Sequence, residues 1–385
     1  MVMREWRQFQ LLARDSLRRL LNAAVLARDG DPWQFAIWAT VLVQTPPTMY
    51  AISVGAKYAA LRRAPAAVAE RVLLGDRMFF VFYAMVAAAL LASATWDALF
   101  PDRVDQEIVG ALPVRPRTLA ASRLAAAMAM ALAFATAICL PSAILFSFFS
   151  LTRPPFLHIG MLIVGHMAGA VGGAMAVFAL LLALRGVAAV ALPSSASSVV
   201  AALLQLASIS GLIETFLYVP SILPRLVDAM LEGGAGAMRL PPVWFGALYD
   251  LIAGDGSGVL WAEAGRGAFV FGAALLVVVA LYLLPASWLA RRALESSSKT
   301  TVRTVSALTR LSARLSTRAP RVRAVTMFVV ASFTRSRRHV IVLVRQLGIG
   351  IAIGSVSLIA ATIHRTLDLD VPSRSLLAVP LVLMF

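Results

Sequence analysis

Long apolar stretches, separated by short segments rich in arginine, run through most of this chain. A transmembrane helix needs about 20 apolar residues, and barrel strands would show a period of two that these stretches lack. The pattern therefore predicts an all-α fold: a polytopic helical membrane protein with a six-span bundle. The predicted spans are residues 34–55, 77–99, 119–149, 158–184, 198–220 and 267–290.

Prolines interrupt two of the predicted spans. Proline lacks the amide hydrogen that an α-helix uses, and its ring crowds the preceding turn. Pro46 and Pro47 are therefore predicted to break or bend the first span. Pro141 is predicted to kink or tilt the third span, which is too long for one straight crossing.

The first 31 residues have an amphipathic pattern. Apolar residues recur at helical spacing, and arginines occupy the other side of the same helix. The apolar residues are Trp6, Phe9, Leu11, Leu12, Leu17, Leu20 and Leu21, and the arginines are Arg4, Arg7, Arg14, Arg18 and Arg19. Residues 1–31 are predicted to form an interfacial helix in the headgroup plane. The alternative is a solvated N-terminal helix.

The remainder of the chain divides into three predicted parts. Residues 32–290 form the six-span domain, and residues 291–338 form a basic cytosolic linker rich in Ser, Thr and Arg. Residues 339–385 carry further transmembrane segments, with a seventh span at 340–361. The last apolar run stops after ten residues at Phe385, which predicts that this sequence is the N-terminal part of a longer protein.

The composition supports a membrane protein and excludes a nucleic-acid-binding one. Charged residues make up 14% of the chain, against about 25% in soluble domains, and the mean hydropathy is +0.83. The net charge is +16, but the basic residues lie between apolar runs, where they set topology and contact anionic lipid headgroups. Membrane lipids are therefore the expected partners of these residues.

The distribution of Arg and Lys predicts a cytosolic N-terminus. Residues 1–31, 100–118 and 291–323 are rich in basic residues and are placed inside, whereas the acidic loop 221–266 is placed outside. Loop 56–77 disagrees, because its five basic residues would also lie outside. Either the first apolar run is re-entrant or the rule is broken locally.

Residues with possible chemistry are few. Glu214 is the acid that lies well inside an apolar run. One interpretation is a functional residue that lines a pathway or pairs with a cation. The other is a solvated residue at the membrane interface. Glycines at spacing four in the fourth span, Gly165, Gly169 and Gly173, predict close helix packing or a moving seam between half-transporters.

Metal, cofactor and catalytic signatures are missing from the sequence. The four histidines are scattered, and Cys139 is the single cysteine, so no metal site is predicted. A phosphate-binding loop needs Gly-Lys-Ser/Thr, but Lys57 precedes Tyr58, and Ser298 stands before Lys299. The chain is therefore predicted not to be an enzyme, to need no cofactor, and to be unable to hydrolyse ATP itself.

A charged stretch lies between the second and third predicted spans. Residues 97–118 read DALFPDRVDQEIVGALPVRPRT, with a cluster of acids, a short apolar turn and a Leu-Pro-Val step. This stretch resembles the cytosolic loop between the second and third spans of ABC exporter permeases, in which a coupling helix docks on a separate ATPase. The resemblance implies that the coupling residues are Asp102, Arg103, Asp105, Glu107, Leu112, Pro113, Val114 and Arg115.

The resemblance also implies a function. It predicts the transmembrane subunit of an ATP-driven exporter in the bacterial inner membrane, paired with a separate ATPase and with a second copy or a sister permease. It implies a short external helical hairpin within residues 221–266 as well. A scaffold or assembly factor without transport is the alternative. A lipid-modifying membrane enzyme is disfavoured, since it would need converging acids or histidines near the inner interface.

Overall fold

Every regular element of the described chain is a helix. The computed structural model describes residues 2–25, 32–61, 63–100, 108, 112–150, 156–232, 236–254 and 258–295, and isolated positions after residue 320. The prediction of an all-α fold is confirmed for these residues. The predicted linker 291–338 and the predicted segments in 339–385 lie largely outside them.

Nine α-helices follow one another in the described ranges. They are α1 Val2–Val25, α2 Pro32–Leu61, α3 Ala66–Thr95, α4 Pro116–Phe149, α5 Phe156–Ala191, α6 Ser194–Leu231, α7 Pro241–Ala253, α8 Gly258–Leu283 and α9 Ala286–Glu295. Short 3-10 turns occur at Trp96–Leu99 and Ala237–Arg239.

Four of the described helices are long and apolar enough to cross a membrane: Ala66–Thr95, Pro116–Phe149, His158–Ala191 and Leu260–Leu283. They indicate a multi-pass membrane protein. The first and fifth predicted spans fall in α2 and α6, which are long but are not among these four. The six-span count therefore stays a prediction.

Two observed helices begin well before the predicted spans that overlap them. The second was predicted to begin at residue 77, but α3 begins at Ala66. The sixth was predicted at 267–290, but α8 covers Gly258–Leu283. In both cases the helix includes a charged turn that a hydropathy pattern leaves out. The omitted charged residues include Asp76, Glu263 and Arg266, and each of these side chains has an ionic partner.

The proline pair was predicted to break or bend the first span; it does not break α2, which continues through Pro46 and Pro47, and a bend stays a prediction. Pro47 has no amide hydrogen, so the carbonyl of Val43 loses its normal helical donor. The hydroxyl of Tyr83 on α3 donates a hydrogen bond of 2.5 Å to that carbonyl. A neighbouring helix thus supplies the missing donor, which is how prolines are tolerated inside membrane helices. The helix α4 likewise continues through Pro141.

The chain forms two compact units. The first unit comprises residues 1–100, 114–187 and 218–286. Within it, α4 packs against α1, α2 and α3, and α7 packs against α3 and α8. A cluster of buried apolar and aromatic side chains forms part of its core: Ala51, Val54, Phe80, Phe146, Leu162, Tyr249 and Ala253.

The second unit comprises residues 101–113, 188–217 and 287–385. Its described part includes the end of α5, the first two-thirds of α6 and nearly all of α9. Arg292 of α9 donates hydrogen bonds to the carbonyl of Ala189, at 2.9 Å, and to the carbonyl of Leu192. These carbonyls lie at the C-terminus of α5, where a helix leaves acceptors unpaired. Arg292 therefore caps α5.

The C-terminal part of helix α1 is buried against other helices, and its N-terminal part is exposed. Leu20 and Leu21, near its C-terminus, are buried, and α1 contacts α4, α2 and α3. Nearer the N-terminus, Trp6 is 58% exposed and Leu11 is 66% exposed, beside the exposed Arg7. The predicted N-terminal helix is therefore confirmed over Val2–Val25, whereas its position at a lipid interface stays a prediction.

Candidate functional site

The predicted coupling loop is described in part. Asp102, Arg103, Asp105 and Glu107 lie outside the described residues. The described apolar side chains of this loop include Ile108, which is 63% exposed, and Leu112, which is 53% exposed. Both are large enough to anchor in a groove of another protein.

The C-terminal end of this loop has a fixed backbone. Arg115 is extended, with φ −69° and ψ 133°, as expected for a residue before proline. Pro116 occupies the first helical position of α4, where its missing amide hydrogen costs nothing. Pro113 and Arg115 are exposed and Val114 is half-buried. The loop therefore enters α4 through a defined turn that leaves Arg115 at the surface.

The predicted glycines of α5 lie against α7. A β-carbon added at Gly165 would lie 2.8 Å from the carbonyl oxygen of Tyr249, and one at Gly169 would lie 2.7 Å from that of Phe245. At Gly173 the nearest neighbours would be Met85, at 3.1 Å, and the β-carbon of Phe245, at 3.4 Å. These distances leave no room for a side chain at the first two positions, so α5 and α7 approach each other backbone to backbone.

Helix α7 lies within the segment predicted as an external hairpin. It begins after Leu240, which is extended, with Pro241 at its first position. It ends at Gly254, which has φ 104° and a left-handed conformation that favours glycine. The indole of Trp244 donates a 2.9 Å hydrogen bond to the carbonyl of Met238. At 13 residues, α7 is too short to span a bilayer.

Asp76 of α3 accepts hydrogen bonds from two side chains of α2. The ammonium of Lys57 lies 2.6 and 2.8 Å from its two oxygens, and the hydroxyl of Tyr50 lies 2.5 Å from one of them. The side chain of Asp76 is only 3% exposed, whereas that of Lys57 is 39% exposed. A buried carboxylate needs such donors to be stable, so this group joins α2 to α3.

Arg77, the next residue of α3, pairs with α7. Its guanidinium lies 2.5 Å from the carboxylate of Asp250, and both side chains are less than a tenth exposed. The guanidinium also lies 5.0 Å from the centre of the Tyr249 ring, within the range of a cation–π interaction. This buried pair connects α3 to α7, the helix that packs against the glycines of α5.

Adjacent helical residues point about 100° apart, so Asp76 and Arg77 reach different partners. Nearer the start of α3, Arg71 forms a more exposed ion pair with Asp228 of α6. The start of α3, the end of α6 and α7 therefore lie at the same end of the first unit. Three of the five basic residues in loop 56–77 have acidic partners there, and the side of the membrane on which this loop lies stays a prediction.

His166 of α5 is completely buried among aromatic rings. The centre of its imidazole lies 4.8 Å from that of Phe80 and 5.5 Å from that of Tyr249, and one ring nitrogen lies 3.3 Å from the Ser142 hydroxyl. Within the described ranges, no group of three or more His, Cys, Asp or Glu could hold a metal ion. The contacts of His166 are those of a packed core residue.

The predicted intramembrane acid, Glu214, is half-buried on α6. The ion pairs of α3 were not identified from the sequence, although a signal existed. Asp76 and Arg77 are adjacent opposite charges at the edge of an apolar run, and Asp250 is an acid within the otherwise apolar sequence of α7. Opposite charges bordering apolar segments are candidates for buried pairing.

Comparison with known proteins gives no relative: no family model, no curated protein and no solved structure matches this chain.

Proposed function

We propose that this chain is the transmembrane subunit of an ATP-driven exporter, with ATP hydrolysis on a separate ATPase. The observation that carries the proposal is loop 97–118. Its sequence resembles the coupling loop of ABC exporter permeases, and its apolar residues Ile108 and Leu112 are exposed. Exposed apolar side chains in a segment of charged sequence suit docking of a soluble protein.

The resemblance implies a mechanism, in which the missing phosphate-binding loop of this sequence is supplied by a separate ATPase. A partner ATPase dimer would dock on loop 97–118, and its closure on ATP would push on the start of α4. The membrane helices would then shift between inward- and outward-open states. Such a shift requires ATP-bound and ATP-free partners to bind the two states with different affinity. A second copy or a sister permease would line the path together with this chain.

A membrane scaffold without transport is the second candidate function. It also requires several spans and basic segments, so the four apolar helices favour neither candidate. A scaffold has no need for an acidic turn followed by Leu112-Pro113-Val114 between two spans. The proposal therefore depends on this loop, and localisation in the bacterial inner membrane forms part of the same proposal.

Cysteine accessibility tests the orientation. In a Cys139→Ala background, Gln10→Cys and Val305→Cys should resist an impermeant thiol reagent in intact cells, because both lie in arginine-rich segments placed in the cytosol. Arg63→Cys, in the exposed turn between α2 and α3, should be labelled. Labelling at position 10 or 305, with protection at 63, would reverse the orientation and rule out a cytosolic coupling loop.

Variants of the loop test the docking proposal. Leu112→Ala should weaken assembly with the ATPase by about 1–3 kcal/mol if the side chain is a buried anchor. Reversing the charges of Arg103 and Glu107 together should uncouple ATP hydrolysis from transport. Membrane insertion should not change, since these residues lie outside the apolar helices. Undiminished co-purification and coupling in both variants would remove the loop from the mechanism.

A further inference from the structure

The helix α9 has one buried face and one exposed face. Ala286 and Leu289 are buried, whereas Ser287, Trp288 and Arg291 are exposed. Trp288 and Arg291 are three residues apart, so their side chains are neighbours on the helix surface. This exposed face, formed by Trp288 and Arg291, is called the α9 face.

A third residue holds the indole of the α9 face in place. The guanidinium of Arg292 lies 4.7 Å from the centre of the Trp288 ring, within cation–π range. Because Arg292 also donates to the carbonyls of Ala189 and Leu192, its position is fixed by the C-terminus of α5. Trp288 therefore stacks on an anchored group while remaining 40% exposed.

The location of the α9 face identifies its environment. The helix begins directly after the turn at Leu284 and Pro285 that ends the apolar helix Leu260–Leu283. Tryptophan and arginine are enriched at this level of a membrane, where an indole contacts acyl chains and a guanidinium contacts phosphates. An exposed tryptophan beside an exposed arginine thus matches the boundary between hydrocarbon and headgroups.

The positive charge of the segment that follows the α9 face favours anionic lipids. The segment that begins on this face, residues 291–323, contains nine basic residues and one acid, Glu295. Such an excess attracts anionic headgroups by about 1 kcal/mol for each basic residue near the surface, whereas a zwitterionic headgroup gains little. Arginine also binds phosphate oxygens through two parallel hydrogen bonds.

We propose that the α9 face is a binding site for the headgroup of an anionic phospholipid. Arg291 binds the phosphate, and the Trp288 ring packs on the glycerol and the upper part of the acyl chains. Arg292 is a positioning residue, because it orients the indole and caps α5 without needing to contact the lipid. The site requires a membrane but does not depend on transport. The lipid-binding proposal can therefore be wrong while the proposed function is right, and the reverse also holds.

Contact quenching of tryptophan tests this site. The full chain is placed in nanodiscs that contain phosphatidylcholine and phosphatidylglycerol, with bromine on the acyl chains of one lipid or the other. The contribution of Trp288 is the difference between the wild type and Trp288→Phe. Brominated phosphatidylglycerol should quench Trp288 more than brominated phosphatidylcholine at the same mole fraction, and high salt should reduce the excess.

Two substitutions provide a test variant and its control. Arg291→Gln should lower the preference for the anionic lipid about fivefold, which corresponds to about 1 kcal/mol. Arg63→Gln, which removes an exposed arginine elsewhere in the chain, should leave the preference unchanged. Equal quenching of the wild type by both lipids, or an excess that survives Arg291→Gln, would overturn the proposal. Quenching by neither lipid would also overturn it, since the face would then be covered by protein.

Discussion

Arg77→Ala should lower the free energy of unfolding by about 3–5 kcal/mol. The substitution removes one partner of a buried ion pair and leaves the carboxylate of Asp250 without its counter-charge. It also removes the cation–π contact with Tyr249. Unfolding of the purified protein in mixed micelles, followed by circular dichroism, measures the change.

Arg71 provides the matched control. It lies on the same helix and also pairs with an aspartate, Asp228, but the two side chains are 52% and 38% exposed. Exposed pairs contribute about 0–1 kcal/mol, so Arg71→Ala should have a small effect. The double variant Arg77→Met with Asp250→Leu should recover much of the loss, because neither position then places a charge between α3 and α7. Equal, small losses for Arg77→Ala and Arg71→Ala would show that the buried pair does not join α3 to α7.

Gly169→Ala should destabilise the protein by about 1–3 kcal/mol, an unusually large effect for one added methyl group. Its β-carbon would lie 2.7 Å from the carbonyl oxygen of Phe245, so α5 and α7 would have to separate. Gly165→Ala should behave similarly, because its β-carbon would lie 2.8 Å from the carbonyl oxygen of Tyr249. The same unfolding measurement reports both.

Gly160→Ala is the control on the same helix. No atom lies within 4 Å of a β-carbon added there, so the substitution should be neutral or should stabilise α5 by up to about 1 kcal/mol through helix propensity. If Gly169→Ala proved as harmless as Gly160→Ala, the close approach of α5 and α7 would be wrong.

The sequence was most informative where apolar residues form long, regular runs. The runs in α3, α4, α5 and α8 predicted helices of membrane length, although α3 begins at Ala66 rather than at residue 77 and α8 begins at Gly258 rather than at residue 267. The spacing of Gly165, Gly169 and Gly173 predicted a close helix partner without identifying it. That partner, α7, has 13 residues and falls below the length at which hydropathy indicates a crossing.

Interactions between distant residues were not accessible from the sequence. Arg77 and Asp250 are 173 residues apart, and only the packing of α7 on α3 brings their side chains together. The continuity of α2 through Pro47 depends in the same way on the hydroxyl of Tyr83, 40 residues from Val43. The sequence shows that each proline lacks an amide hydrogen, so a helical hydrogen bond must be lost. It does not show which side chain of another helix would donate to the free carbonyl.

Co-purification with an ATPase tests the proposed function most directly. A phosphate-binding-loop ATPase encoded beside this chain is co-expressed with an affinity tag on the ATPase, and the membrane fraction is solubilised and captured. The account predicts that the wild-type chain is retained, that Leu112→Ala reduces its retention, and that Gly160→Ala does not. Failure of the wild-type chain to be retained, or equal retention of the wild type and Leu112→Ala with unchanged coupled hydrolysis, would contradict an exporter subunit driven through loop 97–118.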